Sequence, residues 1–381
     1  MRLADEWRDM ILIDGHADTP QRFVDEGWDF CGTLGDGHLN LETAQRGGLS
    51  AEFFAIWVQP EEWRGRYAHR TLELIDGVYE QLRRHPRELA LGLCADDVRQ
   101  AHAERKFCVL LGIEGGHSIE NSLALLRMYH RLGVRYMTLT WANTNEWADS
   151  SGDLGDASVK HHGGLTHFGR EVVREMNRLG MMVDISHVSD KTFWDVMETT
   201  HAPVIASHSS ARALADVPRN LTDEQMRAVA TSDGIVMVNF YSSFVDEAWR
   251  DAWSATSAER DAMVQTRTRE ARERGEAVPY SVALKVDREY FAANTATLKR
   301  PSFERVVDHI DHLAKVAGID HVGIGTDFDG FGILPEGLES AADLPKIFAS
   351  LSKRGYTREQ MRKIAGENLL RVMETVQSAA G

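Results

Sequence analysis

Cysteine is scarce: Cys31, Cys94 and Cys108 are the only three in a chain of 381 residues. They form no C-x-x-C pair and their number is odd, which excludes a disulfide framework as the organising feature and makes a thiol nucleophile a poor expectation. Free thiols in a reducing compartment are expected instead. Long hydrophobic runs are also missing, since none approaches the roughly 20 apolar residues of a membrane span. Met1 to Asp9 carry acids where a signal peptide carries its apolar stretch, and Gln377 to Gly381 offer no tail for a lipid anchor. The expected location is therefore the cytoplasm, with no membrane partner. A basic excess is absent too: the formal net charge is −15, which argues against nucleic acid or an anionic surface as partner. Neither a G-x-S-x-G elbow nor a G-x-x-x-x-G-K-[ST] loop occurs, so serine nucleophiles and nucleotide hydrolysis lack support. No repeat, low-complexity tract or linker divides the chain, and residues 1–381 read as a single domain of a length that α/β barrels reach.

What the chain does have is a series of short apolar runs rich in β-branched and aromatic residues, at 11–14, 52–58, 107–113, 134–140, 181–186, 203–207, 234–240 and 321–326. Continuous apolarity without alternation is the mark of strands buried on both faces. Amphipathic stretches separate most of them. In 166–179, Phe168, Val172, Val173, Met176 and Leu179 recur at helical spacing with Gly180 following as a cap, and 119–132 carries a similar stripe ahead of Gly133. Strands alternating with helices imply parallel pairing through crossovers, and this number of them predicts a (β/α)₈ TIM barrel. Residues 26–50 read as a long loop after the first strand. Residues 244–300 read as a helical insertion between strands seven and eight, near the top face, with the charge run Arg267 to Arg274 as a solvated helix.

Ligand-type residues sit just past the ends of these runs: His16 and Asp18, Glu114, His187, His208 and Asp327. A barrel presents its site at the carboxyl ends of its strands, and imidazole with carboxylate suits divalent zinc. The pattern points to a metal-dependent hydrolase. His16 and Asp18 lie two apart, so on an extended segment both reach one ion, although a hydrogen-bonded structural pair has the same spacing. Glu114 follows a wholly apolar run; at that depth it must be salt-bridged to an arginine or bound to metal, and its two oxygens can bridge two ions. His187 and His208 end successive strands and would supply the second ion. Paired metals about 3.5–4 Å apart lower the pKa of a shared water to near neutral. Asp327 then serves as the acid/base that moves the proton. Asp329, in an Asp-Gly turn, reads as a loop cap, and His38, His117, His161 and His162 as loop histidines.

Taken together these segments resemble the membrane dipeptidase (renal dipeptidase) family of the amidohydrolase superfamily. The resemblance rests on Asp14 to Asp18, Ile113 to His117, Asn143 to Asp149, Asp184 to Ser189, Ser207 to Ser210, Arg219-Asn220, Val236 to Tyr241 and Gly325 to Gly330. It implies two Zn²⁺ held by His16, Asp18, Glu114, His187 and His208, with Glu114 and a water or hydroxide bridging, and Asp327 as catalytic acid/base. It also implies that Arg219 receives the free carboxylate of a dipeptide, a pairing for which a guanidinium is well shaped, and it places Tyr241 and Trp141 against the substrate. Such enzymes cleave dipeptides and tolerate a D-residue at the C-terminal position; some open β-lactams. By analogy the chain is expected to form a homodimer. One departure stands out. Family members carry a histidine after the fourth strand where this sequence has Trp141, whose indole donates one hydrogen bond but neither titrates nor carries charge near neutral pH. An amidase or lactamase with an altered substrate, and a non-catalytic metal binder, are the rival readings; the retained Asp327 argues against the latter.

Overall fold

The computed structural model describes residues 9–274 and 280–381. Its centre is an all-parallel sheet of β1 (Leu12–Ala17), β2 (Leu49–Trp57), β3 (Leu89–Leu91), β4 (Phe107–Glu114), β5 (Val134–Thr138), β6 (Met182–Asp184), β7 (Val204–Ala206), β8 (Ile235–Val238) and β9 (Val322–Ile324). The order is β2-β1-β9-β8-β7-β6-β5-β4-β3, and β2 also pairs with β4, which closes an eight-stranded (β/α)₈ barrel. All eight apolar runs of the sequence become barrel strands. The extra strand, β3, was not anticipated: it has three residues and pairs only with Phe107 to Val109 of β4, before β5 takes up pairing from Leu111.

Strand β4 shows why the runs are apolar throughout. Cys108 and Leu110 belong to one buried cluster and Val109, Leu111 and Ile113 to another. A strand with packing on both faces must divide its side chains in this way. Gly112 falls on the first of these faces because a Cβ there would lie 2.1 Å from the ring of Tyr136.

The helix expected at 166–179 spans His167–Leu179, capped by the Thr166 side chain and ended by Gly180 at φ +71°. The stretch 119–132 is divided, with a 3₁₀ turn at Gly116–Ile119 and a helix only from Leu123 to Arg131, because Glu120 and Asn121 adopt positive φ. The segment 26–50 is less loop-like than its composition suggests. It contains a helix, Leu41–Gly47, held by a reciprocal cap between Asn40 and Thr43, and β2 already starts at Leu49. Between β8 and the helix Glu304–Val316 that precedes β9 lie helices Ser242–Val245, Glu247–Ser254, Ser257–Glu273 and Ser281–Ala293. Most residues from Arg267 to Arg274 are solvated, and Arg260 pairs with Asp287 at 2.6 Å to join the two longest of these helices. Among the described residues, no helix is long and apolar enough to cross a membrane.

Candidate metal centre

Several strands stop shorter than the apolar runs predicted. β6 ends at Asp184 and β9 at Ile324, and the residues beyond turn inward. His187 and Asp327 then adopt φ +66° and +63°, a left-handed conformation uncommon outside glycine, although Asn, Asp and His enter it more readily than other residues. Such conformations persist where surrounding contacts impose them, and they concentrate at functional sites. Here the contacts are visible: Asp327 N–H donates to His16 O at 2.9 Å and Asp18 N–H to Phe328 O at 2.8 Å, so the loop after β9 is laced onto the end of β1.

The six ligand-type side chains converge. Glu114 Oε2 lies 3.6 Å from His16 Nε2, while Glu114 Oε1 lies 2.9 Å from His187 Nε2 and 3.2 Å from His208 Nε2. His16 Nε2 is 3.7 Å from Asp18 Oδ2. Donor atoms of His16, Glu114 and His208 fall within 4.8 Å of one another, as do those of His16, Asp18 and Asp327. No arginine pairs with Glu114 among the described ion pairs, so the salt-bridge reading of that residue is not what the structure presents. His16, Asp18, Glu114 and His208 are buried, while His187 and Asp327 are partly exposed.

Whether a cation fits can be judged from the histidines. Tyr136 Oη donates to Gly15 O at 3.2 Å and lies 2.9 Å from His16 Nδ1, so in the neutral ring, the form that binds metal, Nδ1 carries the proton and Nε2 keeps its lone pair. Ser207 Oγ donates to Asp184 Oδ2 at 2.6 Å and sits 2.7 Å from His208 Nδ1, with the same consequence. His16 Nε2 is buried and has no hydrogen-bond partner among the described residues. His187 Nε2 and His208 Nε2 face each other at 3.0 Å beside one carboxylate oxygen. The His16 and His208 lone pairs, directed toward the Glu114 carboxylate with His187 Nε2 beside them, suit a divalent cation.

The ionisation of the acids follows from their crowding. Burial, with Asp18 and Glu114 nearby, raises Asp327 well above the usual carboxylate range despite His16, and burial raises Asp18 to about 6. Burial acts on Glu114 in the same sense, but His16, His187 and His208 outweigh it and hold that carboxyl well below its ordinary value. Asn239 Nδ2 donates to Asp327 Oδ2 at 2.9 Å.

Arg219, which local sequence would pass for a surface residue after Pro218, is buried beside the donors. Its Nη2 donates to His208 O at 2.8 Å and its Nη1 to Ser209 Oγ at 2.7 Å. A cavity of about 300 Å³ opens over Glu114, His187 and Asp327, walled by Trp141, Tyr241 and Tyr280 among others. Trp141 packs 4.8 Å from the Trp57 ring, while Trp147 is a separate core residue against Phe168. Trp57 and Tyr280, also 4.8 Å apart, escaped sequence reasoning. Trp57 looked like the end of a core strand, and Tyr280 lies in a charged insertion that only the fold returns to the barrel mouth. Asp329 accepts from His38 N–H and Thr19 Oγ1, as a loop clamp should, and His117 and His162 bond to backbone carbonyls.

The model of the membrane dipeptidase family (peptidase family M19) matches residues 3–381. The chain belongs to the membrane dipeptidase family. Solved structures agree with that placement. The chain is similar to the probable dipeptidase PvdM from Pseudomonas aeruginosa, at 26% identity over 99% of this chain and 98% of that one, with a TM-score of 0.82. It is similar to the metallo peptidase dipeptidase AC, at 27% identity over 97% and 99%, TM-score 0.75. It is also similar to a metallo peptidase from Rhodobacter sphaeroides liganded with a phosphinate mimic of the dipeptide L-Ala-D-Ala, at 27% identity over 97% and 100%, TM-score 0.74. Membership in the membrane dipeptidase family makes the chain a metallopeptidase-type hydrolase, and gives the converging donors a chemical context.

Proposed function

We propose that the protein is a binuclear zinc dipeptidase. The observation that carries this reading is the division of Glu114, with one oxygen toward His16 and the other toward His187 and His208. His16 and Asp18 would hold one ion and His187 and His208 the other. When bound, the two ions would polarise the peptide carbonyl and lower the pKa of a water to near neutral. Asp327, positioned by Asn239 and lining the cavity, takes the proton of the attacking water and passes it to the departing amine. Arg219 receives the C-terminal carboxylate, its guanidinium already oriented by His208 O and Ser209 Oγ. Trp141 and Tyr241 form the walls that exclude water around the scissile bond. The L-Ala-D-Ala mimic held by the similar Rhodobacter enzyme supports tolerance of a D-residue at the second position.

The test joins metal analysis with a panel of L,L- and L,D-dipeptides, free and C-terminally amidated. Two zinc ions per catalytic centre and turnover of free dipeptides are expected, with amidated ones strongly disfavoured. Asp327→Asn should keep the metal and lose roughly 10²–10⁴ in kcat, the range for removing a general acid/base. Activity within a few-fold of the parent, or loss of an ion in that variant, would overturn the role given to Asp327.

A further inference from the structure

A second set of metal-type donors lies outside the barrel mouth. Asp29 and Cys31 sit two apart on the loop after the first strand, and His85 follows helix Tyr67–Arg84. One donor atom from each falls within 4.8 Å of the others. We propose that Asp29, Cys31 and His85 bind a structural zinc ion that fastens this loop to the end of the helix.

The donor set suits zinc. It offers one sulfur, one imidazole nitrogen and one carboxylate oxygen, which leaves a fourth tetrahedral position for water, and a thiolate with a carboxylate matches the ion's double charge. His85 Nε2 is a buried atom with no hydrogen-bond partner among the described residues. It lies 2.8 Å from Asp29 Oδ1 without the alignment of a hydrogen bond, and that oxygen already accepts the Cys31 N–H at 2.8 Å. An acceptor oxygen and an imidazole nitrogen so placed can pair through a proton or share a cation together with the Cys31 sulfur. The surroundings are acidic: burial first, then the nearby Asp29 and Glu88, push the Cys31 thiol up to about 12. A bound cation would act against this and favour the thiolate.

The site is also preformed. Gln81, one turn before His85, accepts the Phe30 N–H through Oε1 at 3.1 Å and donates to Trp28 O through Nε2 at 3.1 Å. The loop is thereby pinned against the helix on both sides of Asp29, so little chain must be ordered when the ion enters. Further along, the same loop supplies Thr33, Asp36 and Gly37 to a chamber of about 230 Å³ that shares Asp18 and Tyr280 with the metal cavity. The ion would stabilise the outer wall of the active site without touching substrate.

Cobalt(II) substitution of the full chain tests this independently of the barrel metals, because no cysteine belongs to that centre. The cobalt form should show an intense near-ultraviolet sulfur-to-cobalt charge-transfer band. Cys31→Ser should abolish the band, His85→Ala should weaken or abolish it, and Cys94→Ser should leave it intact. In the zinc form, Cys31→Ser and His85→Ala should each contain one equivalent less than the parent and hydrolyse dipeptides at the parental rate. Absence of the band in the parent, its survival in Cys31→Ser, or equal zinc in parent and variants would overturn the proposal.

Discussion

Ser207 shows how much of the site depends on single hydroxyl groups. It donates to Asp184 and accepts from His208 Nδ1, so one proton arrangement satisfies all three groups and leaves His208 Nε2 facing the centre. Asp184 Oδ1 meanwhile accepts the N–H groups of Ser186 and Ser207, which fixes the chain just ahead of both histidines. Asp14 repeats the device on the other side, accepting the Thr326 N–H, the Thr326 hydroxyl and the His16 N–H ahead of Asp327. Ser207→Ala should weaken metal affinity by roughly 10–100-fold, read by chelator competition, and Ser207→Thr should restore most of it. If Ser207→Ala bound metal with parental affinity, the hydroxyl would have no part in orienting His208. Trp141 poses a different question at the same scale. It puts an indole in the cavity wall where the resemblance implied an imidazole, so its position adds nothing to the acidic limb of the pH–rate profile. Trp141→His should introduce a titration there and shift selectivity toward smaller or more polar side chains; an unchanged profile and selectivity would assign Trp141 to packing.

Secondary-structure elements carry the ligands only because their neighbours leave room. Gly112 on β4 is the clearest case, since the Tyr136 ring occupies the space where its Cβ would project and the same tyrosine holds His16. Gly112→Ala should destabilise the fold by about 1–3 kcal/mol through overpacking and should also lower metal affinity, because the displaced phenol no longer orients His16. Calorimetry and zinc titration of that variant separate the two effects; a loss of stability with parental zinc affinity would confine Gly112 to packing. Such dependences explain what the sequence disclosed. Barrel strands were legible because burial on both faces leaves runs such as Val109 to Ile113 wholly apolar, and His16, Glu114, His187, His208 and Asp327 were legible because they interrupt or follow those runs. Helix Leu41–Gly47 was hidden among polar residues and glycines, and β3 was too short to leave a pattern. The burial of Arg219 and the arrival of Tyr280 at the cavity arise from long-range packing, to which no local spacing corresponds.

For the molecule as a whole, the metal centre concentrates charge that the fold must otherwise tolerate. Binding at 100 times Kd contributes about 2.7 kcal/mol per site, so removal of zinc should lower Tm by several degrees. The effect should depend on pH in a defined sense. Asp14 and Asp18 rise from an ordinary 3.8 to about 6 on folding, chiefly through burial. Groups raised in this way favour the native state below pH 4, and that contribution is lost as pH climbs through 6. Between pH 4 and 6 this loss is opposed by His38, His187 and His309, which burial lowers from 6.5 to about 4. Zinc binding needs Asp18 and His187 deprotonated, so the gain in Tm from added zinc should grow over the same interval. A gain that was constant or falling across that range would show that these carboxyl groups do not set the response. The lacing of β1 to the loop after β9 has one more consequence. His16 and Asp327 stand near opposite ends of the chain and meet where the first and last strands of the ring join. A fragment that stops before β9 holds every metal ligand and lacks the acid/base, so during biosynthesis a nascent chain becomes catalytically complete only after the final strand has been made. Proton transfer thereby becomes a molecular record of ring closure, and a product truncated before β9 is marked by its inactivity rather than by its metal content.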